Sequence, residues 1–195
     1  MSSEPFIYQH NAKTAGYSVA VCLKDKPNIR AYPEHAYISK IRTDYPTNPI
    51  VSAVRNPFSR TWSLWNWLSP PSRYAVLPSD LSFEDFVYSY DDWEYDQGNC
   101  PVFKRCWDFV TIDDKIESHT ILKFENIKKE FDQFCVDNNI DAVLPWENKN
   151  PNKRNVPKEE IYNDKMISFM NDYFAKDLET WDYSYDNWLN SNLPG

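Results

Sequence analysis

The sequence predicts an α/β fold in three layers, a parallel β-sheet flanked by α-helices, and three strand-to-helix units carry that prediction. Pro5 to Gln9 is a short apolar-rich strand, the polar turn Asn11-Ala12-Lys13-Thr14-Ala15-Gly16 follows, and Tyr17 to Leu23 has a helical pattern. The same order returns with Ile50-Val51-Ser52-Ala53-Val54 as a buried strand and Asn56-Pro57 as a helix start, Asn capping and Pro at the first helical position. A third strand, Thr120 to Phe124, runs into a helix from Ile127 to Asp137 that Asn126 can cap, with Ile127, Phe131, Phe134 and Cys135 near one face.

The other elements follow from local signals. The helix opened by Pro57 should run through Trp67 and stop before Pro70-Pro71. Ser82-Phe83-Glu84-Asp85 opens a further helix with a capping-box variant, and the acidic, aromatic segment Tyr88 to Gly98 reads as surface loop. Trp146 to Pro157, dense in Asn, Lys and Pro, reads as a long polar loop, after which Met166, Phe169, Met170, Tyr173 and Phe174 mark a last amphipathic helix. At 195 residues and 42% hydrophobic, the chain has the size of one domain, residues 1–195, around one core.

A formal net charge of -8 argues against a nucleic-acid partner, since proteins that neutralise phosphates gather Lys and Arg. No window approaches the run of about 18 apolar residues that spans a bilayer, so the expectation is a cytoplasmic protein without a membrane partner. Cys22, Cys100, Cys106 and Cys135 lack paired C-x-x-C spacing and read as buried free thiols; His10, His35 and His119 are too scattered for a metal cluster.

A strand feeding a tight loop and then a helix presents backbone N–H groups to an anion. Lys13, Thr14 and Ser18 would add a cation and two hydroxyls to that cradle. The nucleoside-triphosphate loop G-x-x-x-x-G-K-[ST] does not fit, because no glycine precedes Lys13 in the loop and Gly16 comes after it. The run His10-Asn11-Ala12-Lys13-Thr14-Ala15-Gly16-Tyr17-Ser18 instead resembles the 5′-phosphosulfate loop, H-I-P-K-T-[GA]-G-T-S, of sulfotransferases that use 3′-phosphoadenosine 5′-phosphosulfate (PAPS). Arg55-Asn56-Pro57-Phe58-Ser59-Arg60-Thr61-Trp62-Ser63 resembles the family's second site, R-N-P with a serine eight residues after the arginine, which binds the 3′-phosphate. Later segments, including Phe83 to Val87, Trp107 to Val110, Leu122 to Ile127 and Tyr173 to Asp177, look like the carbohydrate-type branch, so the resemblance spans nearly the whole chain.

The resemblance implies a P-loop-like fold, PAPS as sulfuryl donor with 3′-phosphoadenosine 5′-phosphate (PAP) as product, and a small-molecule or glycan acceptor bearing a hydroxyl or amine. It implies that Lys13, Thr14, Ala15, Gly16, Tyr17 and Ser18 hold the 5′ end, that Arg55 and Ser63 hold the 3′-phosphate, and that Lys153 and Arg154, with Lys149, close a basic loop over the nucleotide. No metal is required. Lys13 would stabilise the leaving oxygen, and His35, in a segment similar to K-H-x-T-A-x-E-I, would be the base. Glu34 and the acidic loop around Asp91, Asp92 and Glu94 are alternative bases, while His10 orients the loop and Glu125 organises a strand-to-helix turn. Arg60 suits an acidic surface partner equally well. Asn11, Ala12 and Tyr17 depart from the pattern. A P-loop-type ATP-dependent phosphotransferase, and a module that binds PAP or PAPS without turnover, are the competing expectations; the acceptor's identity and the oligomeric state are not legible.

Overall fold

The computed structural model describes residues 4–33, 35–93, 102–145, 154 and 156–191. In chain order its elements are β1 (Phe6–Gln9), α1 (Gly16–Cys22), β2 (Ile29–Ala31), α2 (Ile38–Asp44), β3 (Ile50–Val54), α3 (Pro57–Leu68), α4 (Phe83–Tyr88), α5 (Cys106–Val110), β4 (Thr111–Ile112), β5 (Lys115–Ile116), β6 (Thr120–Lys123), α6 (Ile127–Asp137), α7 (Asp164–Tyr173), α8 (Ala175–Trp181) and α9 (Tyr185–Leu189). Four strands pair in the order β2-β1-β3-β6, every pair parallel, with Ile7 opposite Ile50 and Val51 opposite Thr120.

The apolar run of β3 is buried at all five positions, as a parallel strand covered on both faces requires. Alternation along the strands assigns the layers. Tyr8, Val51, Ala53 and Leu122 pack with Val19 and Leu23 of the α1 region and with Ile127, Phe131 and Phe134 of α6. On the opposite face Ile7 and Ile50 meet Ile38 and Ile41 of α2, and Val54 meets Phe109 and Trp181. A further core joins α3, α4, α7 and α9 through Phe58, Trp62, Phe86, Met170 and Trp188. The chain is thus an α/β protein with a parallel sheet between helical layers, and among the described residues no helix is long and apolar enough to cross a membrane.

Local signals placed several ends correctly. Asn56 Oδ1 accepts from the Phe58 amide with Pro57 in the first turn, and Ser82 Oγ accepts from the Asp85 amide. Other expectations are corrected. α6 has the expected bounds, but the Asn126 side chain makes no cap hydrogen bond. Tyr90, read as surface loop, lies in the core because its ring meets Phe86, Phe103 and Phe174. The helix built on Met166 and Met170 is followed by α8 and α9, so it is not the last. β2 went unread because only Ile29 of its three residues is buried. The β4-β5 hairpin turns on Asp113 and Asp114, both at positive φ, a two-residue polar turn that sequence reading could have found. Cys106 and Cys135 are buried free thiols and Cys22 is half-buried; Cys100 and the loop from Trp146 to Lys153 lie outside the described residues.

One buried carboxyl ties the helical layer to α5. Asp177 accepts from the Cys106 and Trp107 amides at 2.9 and 3.3 Å. Burial pushes this carboxyl up to about 7, although the nearby Arg60 and the two amides favour the anion. The folded state therefore binds this proton more tightly than the unfolded chain, whose value is near 3.8, so the group's contribution to stability is complete below that value and is lost as pH rises through about 7. Urea unfolding of Asp177→Asn should show a smaller drop in midpoint between about pH 5 and pH 8 than the wild type; equal drops would refute this.

Candidate active site

Strand order alone marks a crevice. The chain leaves β1 through α1 towards β2 on one side and leaves β3 through α3 towards β6 on the other, so the loops beyond these adjacent strands diverge. Such a switch point, outside the carboxyl ends of the strands, is where open parallel sheets bind ligands.

The loop after β1 is held by side chains from β1, α3 and their flanks. Asn11 Nδ2 donates to the Ala53 carbonyl at 2.8 Å, Arg60 Nε to the Ala12 carbonyl at 3.0 Å, and Arg55 Nη1 to the Lys13 carbonyl at 2.9 Å; Thr14 Oγ1 donates to the Asn11 carbonyl. Two of the departures acquire a physical role from this. Asn11 staples the loop to β3, and buried Ala12 packs into the α3 core. Lys13 and Ala15 take positive φ, 62° and 64°, which fold the loop tightly before α1. Gly16 is required sterically, since a Cβ there would lie 1.7 Å from His10 Cδ2. Tyr17 is 55% exposed at the start of α1, and Ser18 is buried behind it.

Arg55, at the end of β3, is buried and fixed from two further sides. Nε donates to Ser59 Oγ at 2.9 Å, and the guanidinium stacks over the Phe124 ring at 4.0 Å. Two of its five N–H groups are thereby used within the described residues. Asn56, next in the chain, is set by Glu125, which accepts from the Asn56 amide and from Tyr183 Oη; Glu125 thus organises the turn as expected. Ser63 does not bond Arg55. It and Trp67 are the two positions of α3 that are not buried, one turn apart, and Lys13 Nζ sits 5.1 Å from the Trp67 ring centre. Ser59, Ser63 and Trp67 follow one another at four-residue spacing along α3, with Ser59 bonded to Arg55 at one end and Trp67 beside Lys13 at the other. Ser59 and Trp67 were missed by sequence reading, and that spacing was the available signal.

Electrostatics sharpen the picture. Lys13 makes no ion pair with a carboxylate among the described residues, and burial together with the neighbouring Arg55 lowers its pKa to about 8. Arg55 is likewise pushed down to about 10 by burial, against the pull of Glu125. A half-buried and a buried cation side by side cost free energy that a bound anion would recover.

His35 joins the same crevice from the segment after β2. Gln9 Nε2 donates to the Ala36 carbonyl at 2.8 Å and fixes that segment, and His35 Nδ1 lies 2.6 Å from the His10 carbonyl. A carbonyl only accepts, so Nδ1 carries the hydrogen and Nε2 keeps its lone pair. Burial, followed by the charges of Arg60 and Lys13, lowers the His35 pKa, while the bond to His10 opposes the shift.

Arg60 is neither an anion ligand nor a partner of a surface carboxylate. It is 1% exposed, and beyond Ala12 it donates to Tyr90 Oη and to the carbonyls of Lys104 and Val102. Arg154 lies apart from Arg55, over the Trp65 ring at 3.8 Å and bonded to the Pro70 carbonyl, towards the other end of α3. Asp91 is engaged by Tyr173 Oη and by Lys104. Glu34, Glu94, Lys149 and Lys153 lie outside the described residues. No group of three His, Cys, Asp or Glu suited to a metal ion occurs among the described residues. Compared with family models, curated proteins and solved structures, the chain finds no match.

Proposed function

We propose that this protein is a PAPS-dependent sulfotransferase, acting on a hydroxyl or amine of a small molecule or glycan. One observation carries the reading: Arg55 donates to the Lys13 main chain at the crevice between β1 and β3, which sets a buried and a half-buried cation next to each other with no carboxylate bridging them among the described residues. The fit to a nucleotide with two anionic ends is chemical. Lys13, the loop from Thr14 to Ser18 and the first-turn amides of α1 suit a 5′-phosphosulfate, whereas the spare donors of Arg55, with Ser63, suit a separate 3′-phosphate. A P-loop-like variant of the α/β fold belongs to the same proposal.

When bound, PAPS would supply an activated sulfuryl group. Lys13 would donate to the bridging oxygen as the S–O bond breaks and that oxygen takes the electron pair. His35 Nε2 would take the acceptor's proton as its oxygen or nitrogen bonds to sulfur.

The test is a calorimetric titration with PAP against ADP and AMP. The wild type should prefer PAP, and Arg55→Ala, whatever it costs the Lys13 loop and hence both nucleotides, should lose about 10- to 100-fold more affinity for PAP than for AMP, the scale of one lost charge-assisted pair. Absence of any PAP preference in the wild type would sink the reading. Preference for ATP with Mg²⁺ would favour a phosphotransferase, and tight PAP binding without transfer to any acceptor in a broad panel would favour a module without turnover.

A further inference from the structure

The ring of His10 occupies a position that neither anion binding nor the packing of β1 calls for. It lies against the His35 ring, centroids 4.3 Å apart and planes inclined by 57°. It also fills the space that a Cβ at residue 16 would enter, 1.7 Å from Cδ2 and 2.3 Å from Nε2. Its main-chain carbonyl receives the His35 Nδ1 hydrogen. A single residue thus touches the one glycine of the loop, that glycine's helix start, and the imidazole read as the base.

We propose that His10 is a positioning residue: its carbonyl selects the Nδ1–H tautomer of His35, and its ring shields the imidazole from water and locks its orientation, so that the free Nε2 faces the crevice at the Lys13 loop. The rate consequence rests on the sulfotransferase reading; the coupling of the two histidines does not. His10 is suited to the task because it stays neutral. Burial, reinforced by His35, pushes its pKa down to about 3, so it adds no charge beside a base already facing Lys13 from the loop and Arg60 from α3. A charged or flexible side chain here would either repel a protonated His35 or admit water.

The experiment follows the His35 ring by NMR in the protein without substrate, alongside transfer rates with PAPS. In the wild type the ring nitrogen shifts should report Nδ1–H, and His35 should titrate below the ordinary imidazole range. In His10→Ala the titration should move up towards the ordinary value as water reaches the ring, and the transfer rate should fall about tenfold or more with PAP affinity retained. His10→Phe keeps the carbonyl and a flat ring, and it should restore both the low titration and the rate. An unmoved His35 titration in folded His10→Ala would overturn the proposal. So would a folded His10→Phe that restores neither readout, because the imidazole itself would then be at work. Should His10→Ala not fold, His10→Ala with Gly16→Ala gives the same readout, the added methyl filling part of the vacated volume. A shifted titration with no sulfuryl transfer from PAPS to any acceptor in a broad panel would remove the enzyme reading and leave the histidine coupling standing.

Discussion

Lys13→Met is expected to slow sulfuryl transfer about 10²- to 10³-fold while PAP still binds, since one preorganised donor aimed at developing charge is worth roughly that much. The substitution is clean for a structural reason. Residue 13 is held through its carbonyl by Arg55, and methionine meets the same positive φ as lysine, so the loop should keep its shape. The pH profile gives an independent check. A lysine that must be protonated and has a pKa near 8 in the free protein should produce a falling alkaline limb of kcat/KM around that pH, while His35, required neutral, sets an acid limb below the usual imidazole range. Single-turnover rates of Lys13→Met within a factor of about two of wild type would exclude lysine from the leaving oxygen.

Arg60→Ala should destabilise the fold by about 3–5 kcal/mol, a large share of the roughly 5–15 kcal/mol typical of a domain. The guanidinium reaches Ala12, Tyr90, Val102 and Lys104 at once, and removing it strands two carbonyl oxygens and a phenol in the interior, with the Lys104 carbonyl half-buried beside them. Arg60→Lys should not rescue, because a point ammonium cannot serve acceptors spread around a planar fork. Urea titration reads this directly, as a lower midpoint with an unchanged slope. A loss under about 1 kcal/mol would mean that water takes over those acceptors, contrary to their burial.

The parallel sheet was legible because buried strands announce themselves as unbroken apolar runs: Ile50 to Val54 was read with its observed bounds, and the strand that ends at Gln9 to within one residue. Both candidate anion loops were legible for the same reason, since each begins where such a run stops. What escaped were elements whose identity is tertiary. β2 offers one buried residue, α8 and α9 are short, and Tyr90 is buried only because other rings and Arg60 surround it. The site shows the same division. Lys13, Arg55 and His35 could be nominated from residue type and spacing, but that His10 touches His35 depends on how the segment after β2 crosses the end of β1, which no local pattern encodes. Arg60 shows the converse: its spacing allowed a surface role, and burial decided otherwise.

The three bonds that lash the loop after β1 to β3 and α3 share an asymmetry: every donor is a side chain and every acceptor a peptide oxygen. Peptide oxygens are common to all twenty residue types. The grip is consequently indifferent to what residues 12 and 13 carry, within the room available, while Asn11, Arg55 and Arg60 are irreplaceable. Chemistry at the tip of this loop can therefore be rewritten by substitution without disturbing the scaffold that aims it.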